Sequence, residues 1–209
     1  MRIALFGATG DLGKELLNQG LREGHAIQAF VRNPDKLNTK HDLLEIVPTD
    51  VIKDSLDSLA AKIADHDLVI SALGTGMNPG ITKIYSEGTA KIVQAMQLAK
   101  IKRLIAVSSC GTDPTLDEPW WFLWLIRRLF INVYVDMARM EERIINTQNL
   151  EWIIVRPTRL TNGEHQKYRV NLTHSPENGG EISRADVAQF ILEQLQQDTY
   201  LRKFPALSY

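Results

Sequence analysis

The chain has one cysteine, Cys110, so it can form no internal disulfide, and its five scattered histidines give no zinc-ligand spacing. No metal site is expected. It also lacks an excess of either charge: 24 Lys and Arg stand against 25 Asp and Glu, a net of -1. That balance leaves no whole-molecule field to hold nucleic acid or an anionic membrane, so any bound anion has to be met by a local arrangement of amides or side chains. No apolar run reaches the roughly 20 residues of a membrane span. The aromatic stretch PWWFLWLIRRLF at residues 119–130 is interrupted by Arg127 and Arg128. The first residues, MRIALFGATG, have only a short apolar-leaning stretch before glycine, which does not make a signal peptide, and the expected location is cytoplasmic. Repeats and low-complexity linkers are absent as well.

What the chain does contain is alternation. Short apolar runs rich in β-branched residues occur at 3–6, 26–31, 44–47, 68–72, 104–107 and 152–155, each about the length of a strand. Several are continuously apolar, which suits parallel strands buried on both faces. Between them, residues 10–23, 55–64, 82–99 and a long stretch ending near 148 carry apolar residues at helical spacing. Strand and helix alternating in this way predict an α/β fold: one Rossmann-type, doubly wound parallel sheet with helices on both faces. Residues 1–209 are read as a single domain, 1–155 forming the βα core and 156–209 a small C-terminal, substrate-side extension that completes the pocket. In that extension a strand is expected near 168–172, Ser183 is expected to cap a helix from 184 to about 196, and the tail 201–209 is apolar enough to dock.

The chemistry starts at GATGDLG, directly after the first strand. Gly7, Gly10 and Gly13 are suited to a tight turn, to close approach of a diphosphate and to close helix–strand packing. Thr9 lies within the turn, and the amides around Asp11 and Leu12 open the helix, where its dipole favours an anion. Asp11 itself is expected to face solvent or cap the helix. About 20 residues further on, a site for NAD places an acid on the ribose hydroxyls and a site for NADP places a cation on the 2′-phosphate. Arg32 stands there, with Lys36 as a second cation and no acid before Asp35. NADP(H) is therefore the preferred cofactor, and Asp35 keeps NAD(H) open.

Eight segments in order, FGATG (6–10), FVRNPDKL (30–37), PTDV (48–51), ALGTG (72–76), SEGTAKIVQAM (86–96), VSSCG (107–111), WIIVRPTRL (152–160) and ISRADVAQFI (182–191), resemble the atypical short-chain dehydrogenases/reductases. The resemblance runs almost end to end. It is strongest to the small NAD(P)H-binding oxidoreductases of the biliverdin reductase B, or flavin reductase, type, with NmrA-like proteins as a regulatory branch. It implies that Asp50 and Val51 flank adenine, that Leu73 and Gly74 pass the ribose and diphosphate, and that Ser108 and Ser109 lie beside the nicotinamide and acceptor. It further implies that Pro157 and Thr158 wall the nicotinamide ring. Asp50 also reads as a simple turn residue. The pattern departs at the YxxxK motif of such enzymes, in which a lysine one helical turn on tunes a proton-donating tyrosine. Tyr134 falls at the tyrosine position, but Ala138 stands where the lysine would be, and Arg139 is about 140° out of phase.

Ser109 and Tyr134 are thus the catalytic candidates, and the expected partner is a small planar acceptor such as a flavin or quinone, bound by a monomer or homodimer. The rival reading is a non-catalytic NAD(P)-binding sensor of NmrA-like type. An epimerase of the extended class is disfavoured by the little chain left for a sugar-nucleotide domain. Cys110 is expected to be a buried structural thiol. The histidines are expected at the surface, His165 and His174 on loops that reach toward the pocket. Trp120, Trp121 and Trp124 read as core or interface, or as the lid of a planar-ligand pocket.

Overall fold

The computed structural model describes residues 1–76, 78–113, 128–172, 176 and 179–209. The tryptophan-rich segment and His174 lie outside them. Six strands form the parallel core: β1 (Arg2–Phe6), β2 (Ala26–Val31), β3 (Leu44–Pro48), β4 (Leu68–Ser71), β5 (Arg103–Val107) and β6 (Glu151–Pro157). The helices between them are α1 (Asp11–Arg22), α2 (Leu56–Ile63), α3 (Thr89–Ala99) and α4 (Ile131–Ile145). The C-terminal part adds short strands β7 (Arg159–Thr161), β8 (Arg169–Asn171) and β9 (Glu181–Ser183), helix α5 (Arg184–Glu193) and strand β10 (Ala206–Ser208). The sheet order is β3-β2-β1-β4-β5-β6-β10-β8, parallel except for β8, and β7 and β9 form a separate parallel pair.

The continuous apolar runs follow from burial on two faces. Side chains alternate across a strand, so Ile3, Leu5, Ile70, Ile105 and Ile153 pack with α1 and α5. Their neighbours Ala4, Phe6, Val69, Leu104 and Ile154 pack with α2, α3 and α4. Burying each of the larger of these side chains contributes about 1.5–3 kcal/mol. A polar residue at any of them would face a covered side, which is why the runs show no alternation.

Topology then places the site. The chain winds outward from β1 to β3, returns to β4 beside β1, and winds the other way. The reversal leaves a crevice at the carboxyl ends of β1 and β4, where open α/β sheets bind ligands. Phe6 is in register with both Phe30 and Ser71, Ser71 with Ala106, and Val107 with Val155. The segments after these strands therefore emerge along one edge.

Two elements differ from the expected pattern. The third helical segment begins as a π-helical turn, Ile84–Gly88, before α3 takes over. The buried carboxylate of Asp136 on α4 explains that start, accepting bonds from the Tyr85 amide (3.0 Å), the Ser86 amide (3.4 Å) and the Ser86 hydroxyl. The tail does more than dock: β10 extends the sheet beside β6. His66, expected at the surface, is buried near the Phe30 ring, its Nδ1 2.9 Å from the Ile63 carbonyl oxygen, and burial pushes its pKa below the usual imidazole value.

Candidate functional site

Gly7 has φ +85, and a Cβ there would lie 2.2 Å from the Ala72 carbonyl oxygen, so the turn needs glycine on both counts. A Cβ on Gly13 would lie 2.1 Å from the Gly7 carbonyl oxygen, which sets helix against strand at van der Waals limit. Gly10 is different, since its Cβ would meet nothing closer than 3.5 Å. Its bareness faces open space rather than protein. No side chain caps α1, and the first amide to bond back is that of Lys14, to Gly10 at 2.9 Å. The amides of Asp11, Leu12 and Gly13 make no hydrogen bond with a described residue. Thr9 is half-buried in the turn, and the Asp11 carboxylate is turned outward. The result is a cradle of donors at a helix N-terminus, the arrangement that binds phosphate groups.

On the β2–β3 side, Arg32 is exposed and, like Lys36, makes no ion pair or hydrogen bond through its side chain with a described residue. Asp50 follows β3, and its Oδ1 accepts the amides of Ile52 (3.0 Å) and Lys53 (3.2 Å). It is therefore a turn residue whose Oδ2 has no bond to a described residue. Val51 is buried, and Gly88 admits it together with Leu73, whose methyl would lie 3.1 Å from a Cβ at 88. Gly74 lies under the Tyr85 hydroxyl, which accepts the Thr75 amide at 3.3 Å. Lys62, not singled out in the sequence, ties this end of β3 together by bonding the Pro48 carbonyl, the Thr49 hydroxyl and Asp54. Its hydrogen bond holds the Asp54 carboxyl below the usual carboxylate range.

On the other side of the crevice, Ser109 starts the 3-10 turn Cys110–Thr112, its hydroxyl accepting the Gly111 amide at 3.1 Å. The Tyr134 ring lies on that turn: a Cβ at Gly111 would be 2.3 Å from its Cε1. Strand β5 and helix α4 thus bring Ser109 and Tyr134 to one place, while Ala138, one helical turn on, and Arg139 are both exposed. Ser108 points away from this surface. It is 4% exposed, and its hydroxyl donates to Glu141 Oε1 at 2.6 Å. Glu141 also accepts the Thr112 hydroxyl at 3.0 Å and a two-pronged bond from Arg156, at 3.0 and 2.6 Å. Arg156 in turn lies over the Phe204 ring, 4.2 Å from its centre. The sequence carried one signal for Glu141: it stands seven residues after Tyr134, two turns along the same helix face. Cys110 is buried, its thiol donating to the Arg156 carbonyl at 3.0 Å. Pro157 is buried and Thr158 is bound to β10, its hydroxyl 3.2 Å from both the Leu207 carbonyl and the Ser208 hydroxyl.

The C-terminal elements close one flank. Ser183 caps α5, and Asp186, 1% exposed, accepts from Tyr209 (2.5 Å), the Ser183 hydroxyl (2.9 Å) and the Gln166 amide (3.2 Å). His165 Nδ1 is 2.9 Å from its other oxygen. Burial pushes the Asp186 pKa up, but the bonds from Tyr209, His165 and Ser183 outweigh it and the net displacement is downward. A cavity of about 460 Å³ lies between α3 and α4, lined by Val93, Gln94, Gln97, Glu142, Arg143 and Asn146 among others; none of the residues above lines it, and it has no part in the site. No cluster of metal-ligating side chains occurs among the described residues, and none of their helices is long and apolar enough to cross a membrane.

A family model described as NAD(P)H-binding matches residues 7–198. The UPF0659 protein YMR090W of Saccharomyces cerevisiae is 29% identical over 206 residues, covering 93% of this chain and 87% of its own. Among solved structures, a protein from Bacillus halodurans described as an NAD-dependent epimerase/dehydratase superposes with a TM-score of 0.81 at 29% identity, over 100% of this chain and 94% of that one. A wide-type short-chain dehydrogenase/reductase from Veillonella parvula, solved in complex with NADP, shares the fold at a TM-score of 0.80 and 20% identity, over 100% and 94%.

Proposed function

From the premise that the chain belongs to the NAD(P)H-binding family, with the fold of the atypical short-chain and NmrA-like oxidoreductases, we propose that it is an NAD(P)H-dependent reductase of a small planar acceptor such as a flavin or quinone. NADP(H) is the preferred cofactor. The observation that carries the reading is the cradle at the β1–β4 reversal, where Gly7 and Gly13 tolerate no side chain and the three amides of Asp11, Leu12 and Gly13 have no acceptor among the described residues. A dinucleotide diphosphate fits that donor set.

When bound, the dihydronicotinamide supplies the hydride, which is the part of the chemistry that belongs to the cofactor. The chain's own residues bind and orient. The turn at Gly7, Thr9, Gly10 and Gly13 holds the diphosphate on the amides of Asp11 and Leu12. Arg32 forks onto the 2′-phosphate, for which a guanidinium is the better cation. Asp50 offers its free Oδ2 to the adenine amino group, beside Val51, and Leu73 and Gly74 line the ribose. Pro157 and Thr158 wall the nicotinamide side, and Ser108 supports that wall from behind through Glu141. Ser109 hydrogen-bonds the acceptor and Tyr134 presents its phenol there as the proton-donating group. At position 138 stands Ala in place of the lysine that would assist a proton-donating phenol. A conjugated acceptor suits such a site because solvent can complete the protonation.

The same Ala138 favours a second reading, a sensor that binds NAD(P) and passes its state to a partner. Titration with NADPH and NADH, followed by tryptophan fluorescence, tests the cofactor reading, and a turnover screen against FMN, quinones and simple carbonyls separates enzyme from sensor. Binding weaker than about millimolar for both nucleotides removes the cofactor reading. Tight NADPH binding without oxidation by any acceptor selects the sensor.

A further inference from the structure

Arg184 opens α5, yet its side chain leaves that helix. Its Nη1 donates to Oδ1 of Asn162 at 2.6 Å, and its Nη2 lies 3.8 Å from the Asp11 carboxylate in the first turn of α1, beyond hydrogen-bond distance. The guanidinium therefore stands beside the first turn of α1, brought there by a residue 173 positions away in sequence. Its side chain is only 21% exposed, and of its five N–H donors one is taken by a described residue. In that first turn the amides of Asp11, Leu12 and Gly13 also have no acceptor among the described residues. Asp11 does not fill that need, because its carboxylate is 68% exposed and faces out. A half-buried guanidinium with donors that no described residue takes, next to a helix start whose Asp11, Leu12 and Gly13 amides bond no described residue, offers donors to an anion with several oxygens.

We propose that Arg184 is a cofactor-binding residue that donates to the diphosphate, with Asn162 holding its orientation and Asp11 keeping the cation beside the turn. This rests on the cofactor reading above and adds a full charge to it, where that reading supplies the diphosphate with backbone amides alone. It also divides labour between two arginines. Arg32 faces the 2′-phosphate and discriminates between cofactors; Arg184 faces what NADPH and NADH share.

The test is calorimetric titration of the full chain with NADPH and with NADH, for the unaltered protein and for Arg184→Ala, Arg184→Gln, Asp11→Asn and the Asp11→Asn/Arg184→Ala double variant. Loss of one charge-assisted hydrogen bond weakens binding about tenfold or more. The expected result is that Arg184→Ala and Arg184→Gln, with unchanged melting temperatures, weaken both nucleotides by the same factor, and that this loss persists when Asp11 is neutral. Three outcomes overturn the proposal: no loss, a loss confined to NADPH, or a loss that Asp11→Asn erases, which would make Arg184 a counter-charge to Asp11 only. If the unaltered chain binds neither nucleotide, the cofactor reading itself fails, a result distinct from these three.

Discussion

Replacing Glu141 by Ala should destabilise the protein strongly, and the structure sets the scale. Glu141 is 5% exposed and accepts from Ser108, Thr112 and both prongs of Arg156. The Arg156 side chain is 18% exposed and lies over the Phe204 ring. Removing the carboxylate leaves a covered cation uncompensated, which costs about 3–5 kcal/mol. The orphaned Ser108 hydroxyl belongs to the same network, so its loss is not simply added. For a chain of this size that is a fall in melting temperature of about 6–20 °C. Glu141→Gln keeps an acceptor for Ser108 but loses charge, and should cost about 1.5–3 kcal/mol. The double variant Glu141→Met/Arg156→Met removes both charges and should recover most of the loss, since a buried pair replaced by apolar side chains is often neutral. Urea unfolding of the four proteins at fixed pH, with an unchanged slope, reads these differences. If Glu141→Ala lies within about 1 kcal/mol of the unaltered chain, the pair is solvated and the reasoning fails.

Gly7→Ala should abolish nucleotide binding and lower stability, because the residue has φ +85 and its Cβ would sit 2.2 Å from the Ala72 carbonyl oxygen; a melting curve and a titration check both, and normal binding would contradict the strained-turn account. Acid should expose the Asp186 network. Its folded pKa lies below the unfolded carboxylate value of about 3.9, so the stabilisation is complete above that pH and is lost as pH falls through the folded value. Urea midpoints between about pH 6 and pH 2 should therefore fall more steeply for the unaltered chain than for Asp186→Asn, and parallel curves would refute the assignment. Arg32→Ala should weaken NADPH about tenfold or more with little change for NADH, and equal loss would remove its 2′-phosphate role. Ala138→Lys puts a cation one turn from Tyr134 at an exposed site, so it should raise turnover near neutral pH without destabilising the helix; an unaltered rate would show that the phenol is not the proton donor.

Much of the architecture is legible in the sequence because it is local. The runs around Leu5, Ile70, Ile105 and Ile153 are apolar on both faces since two helical layers cover them, and that pattern survives in the linear order. The glycine turn is legible for the same reason: Gly7 and Gly13 answer to atoms within a few residues or one strand away. Strand β8 falls within the strand expected near 168–172, whereas the three-residue strands β7, β9 and β10 are not legible in this way. Too short to carry a period, they exist because of partners such as Leu207 on Pro157 and Leu160 on Ile182, far apart in sequence.

The site divides along the same line. The side chains proposed for the surface of the crevice, Arg32, Asp50 and Ser109, sit just after strand ends, where position in the sequence alone points to them. Those that set its geometry from beneath are charged residues inside otherwise apolar or helical segments, where a sequence reads them as solvated. Glu141 and Glu142 are adjacent acids on one helix; only the first is buried, because it shares a face with Val133, Met140 and Ile144 that packs on the sheet. Asp136 is buried two residues after Tyr134 and Glu141 seven residues after it, so one helix grips both the turn that starts α3 and the serine turn after β5. The missing lysine at position 138 therefore removes a cation from a frame whose other parts are intact. Tyr134 lies against Gly111 on the helix that those two carboxylates anchor, so on the proposed reading the absent lysine bears on proton donation and not on the shape of the site.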